Sequence, residues 1–196
     1  MKNYYSKYFL NLISSITEEI NFKKIEKLTF EILKIKKKSG RIFFLGVGGS
    51  AANCSHAVND FRKICNIEAY TPSDNVAELT ARINDEGWET SMSEWLKVSK
   101  MSKKDALFVF SVGGGNKKKK VSTNLISAID YAKKNGSKVF GVVGKKGGYL
   151  EKHGNCTILI PEVDKKKVTP LSEAYQAVIW HCLVSHPKLQ IKKNKW

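Results

Sequence analysis

The sequence predicts an α/β fold: a five-stranded parallel sheet with helices on both faces and a helical extension in front. Three observations predict it. Short apolar runs without alternation, such as Ile42–Leu45 and the stretch within Asp105–Ser111, recur along the chain, the pattern of strands buried on both faces. Segments of helical period separate them, as parallel crossovers require. Two of the runs end in glycine clusters, at 46–49 and 113–115, which suits sharp strand-to-helix turns.

Residues 3–20 set Tyr5, Phe9, Leu12, Ile13, Ile16 and Ile20 at helical spacing, and residues 22–38 do the same with Phe22, Ile25, Leu28, Ile32 and Ile35. Ser39-Gly40 stops the second helix. Residues 1–40 thus form two helices, each with one apolar stripe to cover the sheet or meet another subunit. The first strand, Ile42–Leu45, runs into the glycine turn, and Ser50 caps a helix reaching Ile64. A second strand spans Ile67–Thr71. Pro72-Ser73-Asp74 then turns the chain, with Asp74 as cap of a helix over Asn75–Asn84. Glu94–Lys100 is a further helical piece. Asp105–Ser111 is the third strand, Ser122–Lys134 a helix with Leu125, Ile126 and Ile129 inward, Lys138–Val143 the fourth strand and Cys156–Ile160 the fifth. Thr169 as cap and Pro170 at the first position open a last helix that runs to Val184, before Pro187.

At 196 residues, with 42% hydrophobic and 27% charged residues, the chain suits one globular domain with a sizeable core. It has no apolar run of about 18 residues to span a membrane, and its first residues lack a signal-peptide pattern. Cys54, Cys65, Cys156 and Cys182 are scattered without a CxxC pair. Free thiols in a reducing cytoplasm follow. The net charge of +16 raises nucleic acid as a partner. However, the lysines lie between apolar helical positions, without an Arg-rich recognition helix or interleaved aromatics. They read as solvated faces, and nucleic acid is not expected.

A strand, a glycine turn and a helix N-terminus together offer an anion site of free N–H groups and helix dipole. The cluster matches neither GxxxxGK[ST] nor GxGxxG, so alone it reads equally as a turn without a ligand. In a parallel sheet, ligands bind outside the carboxyl ends of the strands near the switch in strand order. Both glycine loops open there. His56 and Asp60, four apart, share a helix face one turn beyond the first loop. Taken singly, His56 reads as a polar residue bonded to a carbonyl, Asp60 as a partner of Arg62 or Lys63, and His181, between Trp180 and Cys182, as a core histidine.

Together these pieces resemble the sugar isomerase (SIS) domain, and within it the phosphoheptose isomerases. The residues carrying the resemblance are Gly46 to Ser50, His56 with Asp60, Leu79-Thr80-Ala81 followed by Asn84-Asp85, and the last helix with Glu173 and His181. The resemblance implies a three-layer, flavodoxin-like five-stranded sheet, with residues 1–40 as oligomerisation helices and 41–196 as the SIS domain. It implies an aldose-ketose isomerase that converts sedoheptulose 7-phosphate to D-glycero-D-manno-heptose 7-phosphate for surface-polysaccharide synthesis, in a cytoplasmic homotetramer with sites at subunit boundaries. The phosphate would be held by Gly48, Gly49, Ser50, Ser111, Gly113, Gly114, Gly115 and Ser122, and the sugar hydroxyls by Asn84 and Asp85, with Glu173 also binding substrate. One Zn²⁺ per subunit would be held by His56, Asp60, Glu173 and His181.

The chain departs from the family pattern at Val47, where Asn is usual, at Asp60 for Glu, at Glu173 for Gln, and in the second loop, where Lys117–Lys120 look inserted. Moving a carbonyl between C1 and C2 needs a base for the carbon-bound proton and an acid or metal for the enediolate oxygen. Two readings follow from the resemblance. In one, zinc polarises the carbonyl; in the other, Asp60 is the base and His181 the acid. A sugar-phosphate sensor without turnover, or a homologue that binds the replication initiator DnaA, are the alternatives to an enzyme.

Overall fold

The computed structural model describes residues 4–193; the outermost parts of the predicted segments, 1–3 and 194–196, lie outside the described residues. Two helices, α1 (Tyr5–Glu19) and α2 (Phe22–Lys37), lead into β1 (Ile42–Leu45) and α3 (Gly49–Lys63). There follow β2 (Ala69–Tyr70), a 3-10 turn at Pro72–Asp74, α4 (Val76–Glu86), α5 (Ser91–Val98), β3 (Ala106–Ser111) and α6 (Thr123–Lys134). The chain ends with β4 (Lys138–Val143), α7 (Tyr149–His153), β5 (Cys156–Leu159) and α8 (Val168–Val184). All pairings are parallel, in the order β2-β1-β3-β4-β5. The predicted α/β class and five strands are therefore present.

Strand alternation divides the core in two. Phe44, Phe108, Phe110 and Phe140 face one side with α1, α2, α3 and α8, while Phe43, Leu45, Leu107 and Val109 face the other with α5, α6 and α7. The first side is aromatic: Phe44 stacks on Phe108 at 5.1 Å and meets Phe61 of α3 at 5.2 Å. Each fully buried Phe stabilises by about 1.5–3 kcal/mol. Among the described residues no helix is long and apolar enough to cross a membrane.

Local details differ from the sequence reading where a short polar residue had two possible jobs. Asn75, not Asp74, caps α4 by accepting the Glu78 N–H at 3.2 Å. Position 167 opens α8, so Thr169 and Pro170 lie inside its first turn, where a missing N–H leaves no intrahelical bond unmade. Helix α7 was not predicted. It has only five residues, between Gly148 and Gly154, too few to show a period.

Candidate active site

β1 ends beside β3, with Leu45 in register with Val109, and β1 is where the strand order reverses. Both glycine loops leave the sheet at this point. In the first, Gly48 adopts φ 63°, ψ −130° as N-cap of α3, a conformation open to glycine alone. A Cβ on Gly48 would meet nothing within 4 Å, so the turn faces open space. Ser50 is not the cap. It lies in the first turn, buried, and its hydroxyl accepts from Gln176 Nε2 at 3.0 Å. Asn53 in turn donates to Gln176 Oε1 at 2.8 Å and to the Glu173 carbonyl at 2.9 Å. The hydroxyl expected at the phosphate thus also stitches α3 to α8.

The second loop is braced from behind. The Gly114 N–H donates to Ser111 Oγ at 3.0 Å, and the Gly114 and Gly115 carbonyls accept from Leu150 and Tyr149 at the start of α7. Gly113 faces open space, as Gly48 does. Ser122 is the left-handed N-cap of α6, φ 52°, without a capping bond. In the first turn of α6, Asn124 is fully buried and its Nδ2 is the one buried side-chain N or O without a partner among the described residues. Such a donor costs about 1–3 kcal/mol until it finds an acceptor. Lys117 is drawn elsewhere: its ammonium lies 3.3 Å from Asp130 and 4.6 Å from the Tyr149 ring.

Along α3 and α8, three predicted residues converge. Asp60 Oδ2 lies 3.5 Å from His56 Nε2 and 3.3 Å from His181 Nε2. Both separations exceed an ordinary N–H···O bond. A tetrahedral ion with ligands at about 2.0–2.1 Å sets neighbouring ligand atoms roughly 3.3 Å apart. Two imidazoles and a carboxylate, all within 4.8 Å of one another, therefore fit a divalent metal by type and spacing. Asp60 is buried while the two imidazoles stay half-exposed, so the group has a closed back and an open front.

Glu173 does not complete a quartet. It stands eight residues before His181 on α8, a rise of about 12 Å. Its carboxylate lies against Gly49, where a Cβ would come within 2.7 Å of it. It is thus at the N-terminal end of α3, where a carboxylate is favoured by the helix dipole, and in the second turn of its own helix. Asn84 and Asp85 are also apart. They are exposed, Asn84 Nδ2 bonds to Asp85 Oδ1 at 2.7 Å, and α4 has no buried residue. Burial raises the pKa of all four cysteine thiols, that of Cys65 to about 11, so none offers a thiolate at neutral pH.

The sequence profile of the SIS domain matches residues 4–144. The chain is 32% identical over 174 residues to a phosphoheptose isomerase of Leptospira biflexa, covering 84% of this chain and 81% of that protein. The chain belongs to the SIS domain family, on its phosphoheptose isomerase branch. It is also 32% identical over 158 residues to the lincomycin biosynthesis protein LmbN of Streptomyces lincolnensis, where the match covers 75% of this chain but only 56% of LmbN. A solved phosphoheptose isomerase of Francisella tularensis superposes with a TM-score of 0.77 at 20% identity, over 91% of this chain and 93% of the other. That likeness speaks to the fold.

Four site residues of this SIS domain escaped the sequence reading: Asn53, Gln176, Asn124 and Trp180. Gln176 lies three residues after Glu173 on the same helix face, a signal that could have paired it with the glycine turn. In the sequence Trp180 is only an apolar neighbour of His181. Its indole N–H in fact donates to Asp60 Oδ2 at 3.1 Å.

Proposed function

We propose that this SIS domain is an isomerase that interconverts sedoheptulose 7-phosphate and D-glycero-D-manno-heptose 7-phosphate. The observation that carries the reading is the meeting of His56, Asp60 and His181 beside two glycine loops at the switch point, in a chain similar to phosphoheptose isomerases along most of its length. The sugar phosphate sits on the second loop, against Ser111, the Gly113–Gly115 backbone, Ser122 and the N-terminus of α6, where Gly113 faces open space. The first loop is less suited to a dianion because the Glu173 carboxylate already lies there. Gly48, Gly49 and Ser50 instead hold the C1–C2 end of the sugar.

His56, Asp60 and His181 would hold a divalent ion, which we take to be Zn²⁺ and which would supply Lewis-acid polarisation of the sugar carbonyl. With Asp60 flanked by two imidazoles and an indole, Glu173 is the carboxylate left to lift a proton from C1 and return it to C2. Its position against Gly49 puts it at the end of the sugar where that proton resides. The enzyme works in the cytoplasm as a homotetramer. The half-exposed imidazoles and the exposed face of α4 support assembly with other copies, since a neighbouring copy would close the open front and bring Asn84 and Asp85 to the sugar hydroxyls.

The test is to incubate the protein with sedoheptulose 7-phosphate and follow aldose formation by NMR. Conversion should be lost on chelation, restored by added zinc, and reduced about a thousandfold or more in His181→Ala. Binding of the sugar phosphate without turnover would make the protein a sensor and overturn the enzymatic reading.

A further inference from the structure

Resting on the reading of His56, Asp60 and His181 as a metal site, we infer that Trp180 is the positioning residue that makes Asp60 a competent ligand. An aspartate carboxylate turns freely about its last torsion, which is broad and roughly two-fold. Here that freedom is removed from both sides. Trp180 Nε1–H donates to Oδ2 at 3.1 Å and Asn59 Nδ2 donates to Oδ1 at 3.0 Å. Oδ2 is the oxygen that faces both imidazoles. One of its lone pairs takes the indole, leaving the other aimed between His56 and His181.

The indole also sets the imidazoles. Its ring meets His56 edge-on at 5.2 Å and lies 4.8 Å from His181. Phe110 of β3, 5.8 Å behind, ties it to the sheet. Trp180 is 1% exposed, so its N–H has no water to turn to and the bond to Asp60 is its outlet. A single rigid side chain therefore touches every member of the group. The short Asp60 reaches the metal position because this ring holds its carboxylate in place.

The experiment measures zinc affinity by competition with a chromophoric chelator, and the visible spectrum of the Co²⁺-loaded protein, in wild type, Trp180→Phe, His56→Ala and Asp60→Ala. Phenylalanine keeps most of the packing and removes the N–H. Trp180→Phe should bind zinc about 10–100-fold more weakly, the usual effect of losing a group that orients a ligand, with a changed Co²⁺ spectrum and a lower but still cooperative thermal transition. If Trp180→Phe binds zinc as wild type does while His56→Ala does not, Trp180 is packing only and the inference is overturned, with the metal reading intact. If wild type binds neither ion, the metal reading fails first. Should Trp180→Phe not fold, the ¹⁵N-labelled indole of Trp180 in wild type decides. Its N–H should exchange slowly and shift when zinc is added, and no shift in a zinc-binding protein would overturn the inference.

Discussion

The two ends of the β1–β3 pair differ in how their polar groups are spent. At the amino ends, the charged groups Arg41 and Asp105 are fully engaged. The Asp105 carboxylate accepts from the Arg41 N–H at 2.8 Å, Arg41 Nη2 at 2.9 Å, the Ser102 N–H at 2.8 Å and Ser102 Oγ at 3.1 Å. The same guanidinium donates to the Ser99 and Lys100 carbonyls at 3.1 and 2.9 Å. At the carboxyl ends, groups stand in reserve: Gly48 and Gly113 face open space, and two imidazoles are half-exposed. The contrast teaches that one end is built to close the fold and the other to wait for a ligand.

Asp105→Asn gives the largest test of that division. It should destabilise by roughly 2–4 kcal/mol, as breaking a buried ion pair does, with turnover of the folded enzyme unchanged; a large fall in kcat would erase the contrast. The pH dependence has a definite sign. Burial alone would raise the Asp105 pKa, but bonds from the Arg41 side chain and from the Arg41 and Ser102 N–H groups outweigh it and hold it below 3.8. The stability this provides is complete above the unfolded value and is lost as pH falls through the folded one. Thermal midpoints between pH 6 and pH 3 should therefore fall more steeply in wild type than in Asp105→Asn.

Gln176→Leu probes the other end. It strips Ser50 and Asn53 of their partner, which should cost about 1–3 kcal/mol and also raise KM, because the glycine turn loosens from α8. A stability loss with no change in KM would make that seam as purely structural as the Arg41–Asp105 end. The smallest effect is expected from replacing Lys117–Lys120 with serine. With Lys117 held at Asp130, KM for the sugar phosphate should move by less than about twofold at physiological salt, since exposed charges contribute little.

Most of this architecture was legible because strands buried on both faces leave a local mark. Ile42–Leu45 and Ala106–Phe110 are continuous apolar runs, and every residue of both is buried. His56 and Asp60 were legible as a pair because four residues on one helix fix a shared face. What escaped depends on contacts between distant segments. Nothing near Trp180 in sequence reveals that its indole meets Asp60, 120 residues earlier. Glu173 was assigned by position along α8, yet Gly49 of a different helix decides where its carboxylate lies. Helix α4 shows the converse. The turn at Pro72–Asp74 predicted the helix correctly, but it does not reveal that no residue of α4 is fully buried, with Leu79 and Ile83 only half-covered.

The lysine turn has one further consequence. Asn116 and Val121 close it with a pair of backbone bonds, 2.9 and 3.1 Å, so its tip is clamped at the neck like a small hairpin. Length added between those two residues should be absorbed locally, without disturbing the cap of α6. It is the natural point at which to graft a fluorescent label or an affinity tag.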